Sequence, residues 1–490
     1  MMVRLKPPPI AFTALAGAVS YYGRFTDWLW IPEFCLITLV SLITVAAQSP
    51  ALFWTDPIRR RRVRQAHCYS IALFLGFNLG LGAGVPQPVR LGLLENQITG
   101  LYGILQEDPR TLSYGGGIGR ILLQNVSGRA GLRASAGGSI PAVFLEGSIP
   151  RLKEFGRGST VYVEGAVFSS EQGLRFRVHA VHILEPSPAL ERFRTRVRLY
   201  LIQRFSAASW GGLALALLLG VRDTLDSVLA QAYQAAGCSH ILALSGMHLA
   251  IIAGGIGFLL KKLLGIKAAG IISAVCILGY GYLAGNLPSL HRAVIMYILG
   301  TLAVLEVLPK QPVSLFALTF LIQLCLQPES GRGISCILSY LSLGGILFIG
   351  KAIHDCICGT LPETIAQPLS ASLGAFIAAA GATAAFFGVL RPIGILAGLI
   401  VMPLTTLFMV CALILLVLDG ILPCITPFLE VFLSFIYAIL KQLISLGALV
   451  PGISVDDPVP VLASALGLSA VCIAVWVRQH LLRRKFVPFD

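Results

Sequence analysis

Long apolar runs separated by short polar stretches fill most of the chain, with one segment near the N-terminus that does not follow the pattern. The first runs are Pro8–Tyr22, Leu29–Ala47 and Cys68–Gly84. A second series follows: Trp210–Gly220 (short enough to be re-entrant), Ile241–Leu260, Ala268–Leu283, Ser289–Val307, Val313–Leu326, Ile334–Gly350, Ala371–Val389, Ile393–Leu418, Thr426–Leu446 and Val461–Val477. Runs approaching twenty residues match the hydrocarbon thickness of a bilayer when coiled as helices. They predict a polytopic α-helical membrane protein.

From Leu91 to Glu185 the runs shorten and alternate, with Gly and polar residues between them. Arg175, Arg177 and His179 alternate with Phe176, Val178 and Ala180, the period of a half-buried strand. Five strands are expected: Ile98–Leu105, Ile118–Val126, Ala142–Gly147, Thr160–Phe168 and Leu174–Leu184. Five short strands in a segment of this size suit a small all-β, OB-like barrel. The chain therefore divides into N-terminal spans (1–90), the β insert (91–186) and a second membrane region (187–490). Pro186–Arg204 reads as a basic amphipathic helix along the membrane surface. Its apolar side is Val197, Leu199, Leu201 and Ile202, and Arg192, Arg194, Arg196, Arg198 and Arg204 flank it.

Composition agrees with the pattern. The 490 residues are 56% hydrophobic and only 12% charged, about half the charge of a soluble domain. The net charge of +14 is concentrated at Arg59–Arg62 and Arg64, at Lys261, Lys262 and Lys267, and at Arg478, Arg483, Arg484 and Lys485. Basic loops stay cytoplasmic. Both termini are thus expected inside and the β insert outside, in a multi-pass protein of the inner membrane. The N-terminal run lacks an A-x-A site and reads as a retained span. The 11 cysteines are scattered; Cys356 and Cys358 alone are a weak metal signal, the insert has none, and no cofactor is expected.

Chemistry concentrates between Ala214 and Ile252, where polar residues interrupt apolar sequence. Asp223 and Asp226 look like an N-cap and N3 acid of a helix running to Ala236, with Gly237 ending it. Ser239 and His240 follow, then Ser245, Gly246 and His248. Ser245 and His248 are spaced to share a helix face, and His240 and His248 would lie about 80° apart around one helix. Polar groups at membrane depth face an aqueous cavity or bond across helices, and both readings stay open. A Ser–His catalytic pair is a lesser option, since no acid is near and no G-x-S-x-G elbow is present.

The run GCSHILALSGMHLAII (Gly237–Ile252) resembles the signature segment of the ComEC competence-protein family. Gly220 and Arg222 match its upstream element. LAGNLPSLHRAVIM resembles a second family stretch through Pro288, Ser289, Arg292 and Ala293, and SYLSLGGILFIG and FFGVLRPIGILAGLIVMPL resemble later spans. The resemblance implies a channel that passes single-stranded DNA inward during natural transformation, without enzymatic activity of its own. Its implied partners are an extracytoplasmic DNA receptor, a cytoplasmic helicase-like ATPase and membrane lipid, and it allows a homodimer. Arg222, Ser239, His240, Ser245, Gly246, His248, Ser289, His291 and Arg292 would line or shape the DNA path. Arg292 would face phosphate or snorkel to the interface; Arg222, before a helix start, would face an anion. Many members add a C-terminal metallo-β-lactamase-like domain. No H-x-H-x-D-H run is present here, so nuclease activity is not expected. In the insert, Tyr102, Tyr114, Tyr162 and Phe176 would stack on bases or fill the core. The alternatives are a small-solute transporter or an intramembrane Ser/His hydrolase.

Overall fold

The computed structural model describes residues 13–14, 17–18, 89–111, 116–145, 156–170, 173–285, 287–308, 311–327, 331, 333–422 and 424–485, the side chains of 110–111, 130, 170 and 473–485 excepted. The N-terminal runs (but for four residues of the first), the arginine cluster, Tyr114 and the basic C-terminal side chains lie outside the described residues.

The β region contains β1 (Arg90–Leu91), β2 (Ile98–Leu105), β3 (Arg110–Thr111), β4 (Gly117–Gly128), β5 (Arg133–Gly137), β6 (Ser139–Phe144), β7 (Thr160–Ser170) and β8 (Gly173–Glu185). The five expected strands are present. β5 was not expected, because its sequence RASAG offers no apolar alternation. β4 pairs with β2 and β6, β7 pairs with β2 and β8, and β6 pairs with β8, so the hydrogen-bonded path returns to β2. Among the described residues only the β6–β8 pairing is parallel. Strand side chains alternate between faces, and the inward set forms one core that includes Leu101, Leu105, Ile121, Val126, Ile140, Phe144, Val163, Phe176 and Val178.

The remainder is helical: α1 (Ala189–Ser206), α2 (Gly211–Leu219), α3 (Ser227–Ala235), α4 (Ser239–Leu242), α5 (Gly246–Ala284), α6 (Pro288–Val304), α7 (Pro312–Leu326), α8 (Ile334–Ile357), α9 (Glu363–Phe387), α10 (Ile393–Asp419), α11 (Thr426–Ala448) and α12 (Pro458–Lys485). Short strands β9 (Val389–Leu390) and β10 (Ile453–Ser454) pair antiparallel. Among the described residues five helices, α5 and α8 to α11, are long and apolar enough to cross a membrane, consistent with a multi-pass membrane protein.

α5 is two helical limbs. Gly265 has φ 77° and ψ 168°, a backbone state open to glycine, and the chain turns back there. A Cβ on Gly257 would lie 3.8 Å from Ser273 Oγ; along a straight helix the two positions would be about 24 Å apart. The expected spans ending at Leu260 and beginning at Ala268 are these limbs, with Lys261, Lys262 and Lys267 at the tip.

α1 was expected to flank its apolar side with surface arginines. Three of them instead point into the protein, because each finds an acceptor. Arg194 is buried and pairs with Asp108 of the β region (2.8 Å) and with Glu191 (3.0 Å). Arg198 donates to the Leu283 and Ala284 carbonyls at the end of α5 (3.0 and 2.8 Å), where a helix leaves carbonyls unpaired. Arg204 makes a two-pronged pair with Asp419 (2.8 Å each) and a third bond to Glu430 (3.0 Å). Those carboxylates hold its guanidinium further into the charged form, the Asp419 bond contributing most. α1 thus fastens the β region and the α5 hairpin to the α10–α11 pair.

Candidate functional site

The polar segment after α2 folds as a series of caps. Gly220 ends α2 in the left-handed conformation. Asp226, not Asp223, caps α3, accepting from the Val228 N–H at 2.9 Å. The helix starts later than the acid pattern suggested because the nearer carboxylate reaches its N–H groups. Gly237 (φ 70°) closes α3 with N–H bonds from Gly237 to Gln234 and from Cys238 to Tyr233, the 5→2 and 6→1 pair of a Schellman motif. Gly237 also lies against the backbone of Arg391 and Gly394, with no room for a side chain.

His240 and His248 do not share a helix. α4 ends at Leu242, Ala243 is extended, and α5 starts at Gly246 with Ser245 as its N-cap. Ser245 and His248 form a reciprocal capping box. The Ser245 N–H donates to His248 Nδ1 at 3.2 Å, and Ser245 Oγ lies 2.9 Å from the same nitrogen. A main-chain N–H can only donate, so Nδ1 accepts and the ring proton sits on Nε2. His248 is fully buried, and its Nε2 has no partner among the described residues. Met247 meets Thr406 of α10, midway between Ile393 and Asp419, so the start of α5 is level with the middle of α10. A Cβ on Gly246 would sit 3.7 Å from Ala293 Cβ. That is ordinary van der Waals contact for a methyl.

Ser289 joins this cap to α6 by donating to the Leu244 carbonyl at 2.7 Å. One turn on, α6 carries His291 and Arg292. Gln327 Nε2 lies 2.8 Å from His291 Nδ1. Arg292 is buried, so it does not snorkel. It donates to the Ser339 carbonyl of α8 and lies over the Tyr340 ring, 5.6 Å from the centroid. Tyr340 OH donates to Gln323 Oε1 (2.8 Å), and Gln323 Nε2 donates to the Pro288 carbonyl (3.1 Å). Among the described residues no carboxylate forms an ion pair with Arg292.

The nine sequence-derived residues therefore divide. Ser245, Gly246, His248 and Ser289 meet at the start of α5; His291 and Arg292 meet a second polar cluster between α6, α7 and α8. Ser239, His240 and Arg222 are exposed. Arg222 stands several residues before α3, whose N-cap Asp226 accepts from the Val228 N–H.

Residues 217–480 match the family model described as Competence protein, more than half of the chain. The chain belongs to the competence-protein family. No curated protein and no solved structure matches it. The match takes in both polar clusters of this competence protein and leaves the β region outside it.

Gln323, Gln327 and Tyr340 escaped the sequence reading. Each is a polar side chain inside or bordering an apolar run, a signal that identifies a buried partner without saying whose. The β region adds a row of rings on its outer side. Tyr102 and Tyr162 are cross-strand partners with centroids 4.4 Å apart, and His182 stacks on Tyr162 at 5.9 Å. Arg133 lies over Tyr102, 5.4 Å from the centroid. Phe176, by contrast, belongs to the core.

Proposed function

We propose that this competence-family chain is a conduit through which single-stranded DNA crosses the inner membrane during natural transformation. The observation that carries the reading is Arg292. Its guanidinium lies in an apolar helix bundle, held by a carbonyl and a ring but by no carboxylate among the described residues, so no acid neutralises its charge. Phosphate is the anion for which a planar, always-charged donor is suited. His291, Gln323 and Gln327 add hydrogen-bonding groups beside it.

The β region is an OB-like barrel on the extracytoplasmic side in this reading. The returning strand path and its single parallel pairing support the barrel, and the basic loops support the side. Its ring row suits base stacking, which is tolerant of sequence. An extracytoplasmic receptor would deliver the strand and a cytoplasmic helicase-like ATPase would draw it inward, with lipid around the helices and a homodimer compatible with the exposed spans. A Ser/His hydrolase is disfavoured because His248 Nδ1 is already committed to the cap and, among the described residues, no carboxylate orients Nε2.

The test is internalisation of labelled DNA in cells deleted for this chain. Surface binding should persist, nuclease-protected label should disappear, and the wild-type chain should restore it. Protected label in the deletion strain would remove the proposal.

A further inference from the structure

Residues Ile346–Gly350 of α8 form one π-helical turn within an otherwise α-helical span. Such a turn holds one residue more than the α-helix around it and recurs at functional sites. Its position is informative. Ser339 and Tyr340, which hold Arg292, lie on the N-terminal side. On the C-terminal side, His354 is tied to Glu363 of α9 at 3.0 Å. At the turn itself α8 crosses α9 backbone to backbone: a Cβ on Gly374 would lie 2.6 Å from the Gly345 carbonyl oxygen, and Gly350 faces the Ser370 carbonyl. Gly345, Gly350 and Gly374 bring the two backbones into contact there, with the Ala378 side chain against Gly345.

We infer that this π-turn is the hinge of a gate on the proposed DNA path. The inference rests on the conduit reading above. When the extra residue is absorbed into α-helix, the segment Ile334–Gly345 turns by about 100° and shifts by about 1.5 Å. The tethered C-terminal side stays in place. That movement withdraws the Ser339 carbonyl and the Tyr340 ring from Arg292 and leaves the guanidinium to the phosphate of an incoming strand. In the π state the same two groups occupy the cation and close the path.

Cys336 is a native reporter. It is buried on the moving segment, beside Arg292, while Cys411 on α10 is buried away from it. Full-length protein in lipid nanodiscs would be labelled with N-ethylmaleimide, each cysteine being followed by peptide mass. Cys336 of the wild type should label slowly, and at least fivefold faster with a single-stranded oligonucleotide. A chain lacking Phe348, with no residue to spare for a π-turn, should label at the fast rate with or without oligonucleotide while Cys411 stays slow. Equal Cys336 rates in the two chains, or a wild-type rate indifferent to bound oligonucleotide, would overturn the hinge. Should the deletion also expose Cys411, Gly350→Ala decides: its methyl meets the Ser370 carbonyl at 3.0 Å and should blunt the oligonucleotide response, and an unchanged response counts against the hinge. Oligonucleotide binding is measured by anisotropy in the same samples, so a protein that binds none fails the conduit reading instead.

Discussion

Arg292 of α6 donates to the main-chain carbonyl of Ser339 on α8 and covers the ring of Tyr340 next to it. A buried cation is ordinarily matched with an acid, because isolated charge is costly away from water. Here a helix carbonyl and an aromatic face take that place, and they can be given up without stranding a second charge.

Arg292 variants should therefore separate charge from shape. Arg292→Ala is expected to lower DNA internalisation at least tenfold per molecule in the membrane. Arg292→Lys keeps the charge but loses the planar fork and the stacking on Tyr340, and should retain an intermediate rate. The measurement is transformation frequency divided by membrane abundance. If both variants lose abundance in step with uptake, Arg292 only packs the bundle.

The Ser245–His248 box makes a different demand. An N-cap contributes about 1 kcal/mol, so Ser245→Ala should lower the unfolding temperature of the purified protein, whereas Ser245→Asp should keep most of the stability. Glutamine is a capping-box partner at the third helical position, so His248→Gln should preserve abundance and most uptake, while His248→Ala should not. A catalytic histidine would tolerate neither. A serine-directed fluorophosphonate should leave Ser245 unlabelled; labelling there would revive the hydrolase reading.

Much of this was legible in the sequence, for physical reasons. Apolar runs fix helices wherever the lipid or the core demands them: Ile393–Leu418 was expected and Ile393–Asp419 is found, and β2 has the expected bounds. The polar segment misled in detail. Asp223 and Asp226 are equally good caps on paper, and the extended link Ala243–Ser245 has no breaker residue to announce it. Partners distant in sequence were invisible. Nothing near Arg194 names Asp108, and nothing near Arg292 names Tyr340, since burial is decided by a fold that brings separate runs together.

The ring row on the β region should bear on binding. Loss of one stacked base contact costs about 1–3 kcal/mol. Tyr102→Ala or Tyr162→Ala in the full-length protein should weaken binding of a fluorescent single-stranded oligonucleotide by about tenfold. Arg133→Ala should also flatten its salt dependence. Phe176→Ala should instead destabilise the domain, by about 3–5 kcal/mol for a core aromatic. Unchanged affinity in both tyrosine variants would leave the row without a role in DNA contact.

Sidedness can be read from two tips. Gly131 sits in the turn before β5 with nothing near its Cβ position, and so does Gly265 at the hairpin bend. The conduit reading puts the first outside the cytoplasm and the second, with its three lysines, inside. Short epitope tags after these residues should be reached from opposite faces: antibody on intact spheroplasts should bind the Gly131 tag, and the Gly265 tag only after permeabilisation. Both tags on one face would overturn the orientation.

The last test concerns α1 as a fastener. Arg204 holds Asp419 at the end of α10 and Glu430 near the start of α11 with three bonds of 3.0 Å or less. All three side chains are partly exposed, which limits the pair to ~1 kcal/mol, although the two-pronged geometry favours the upper part of that range. Arg204→Lys cannot reproduce the fork, so it should behave nearly as Arg204→Ala does, lowering the unfolding temperature by a few degrees in low salt. The difference from wild type should shrink as salt screens the pair. DNA uptake per molecule should stay normal in both variants, because Arg204 lies away from the Arg292 cluster. If Arg204→Ala abolishes uptake while abundance and stability hold, α1 transmits something between the β region and the bundle, and its role is not fastening alone.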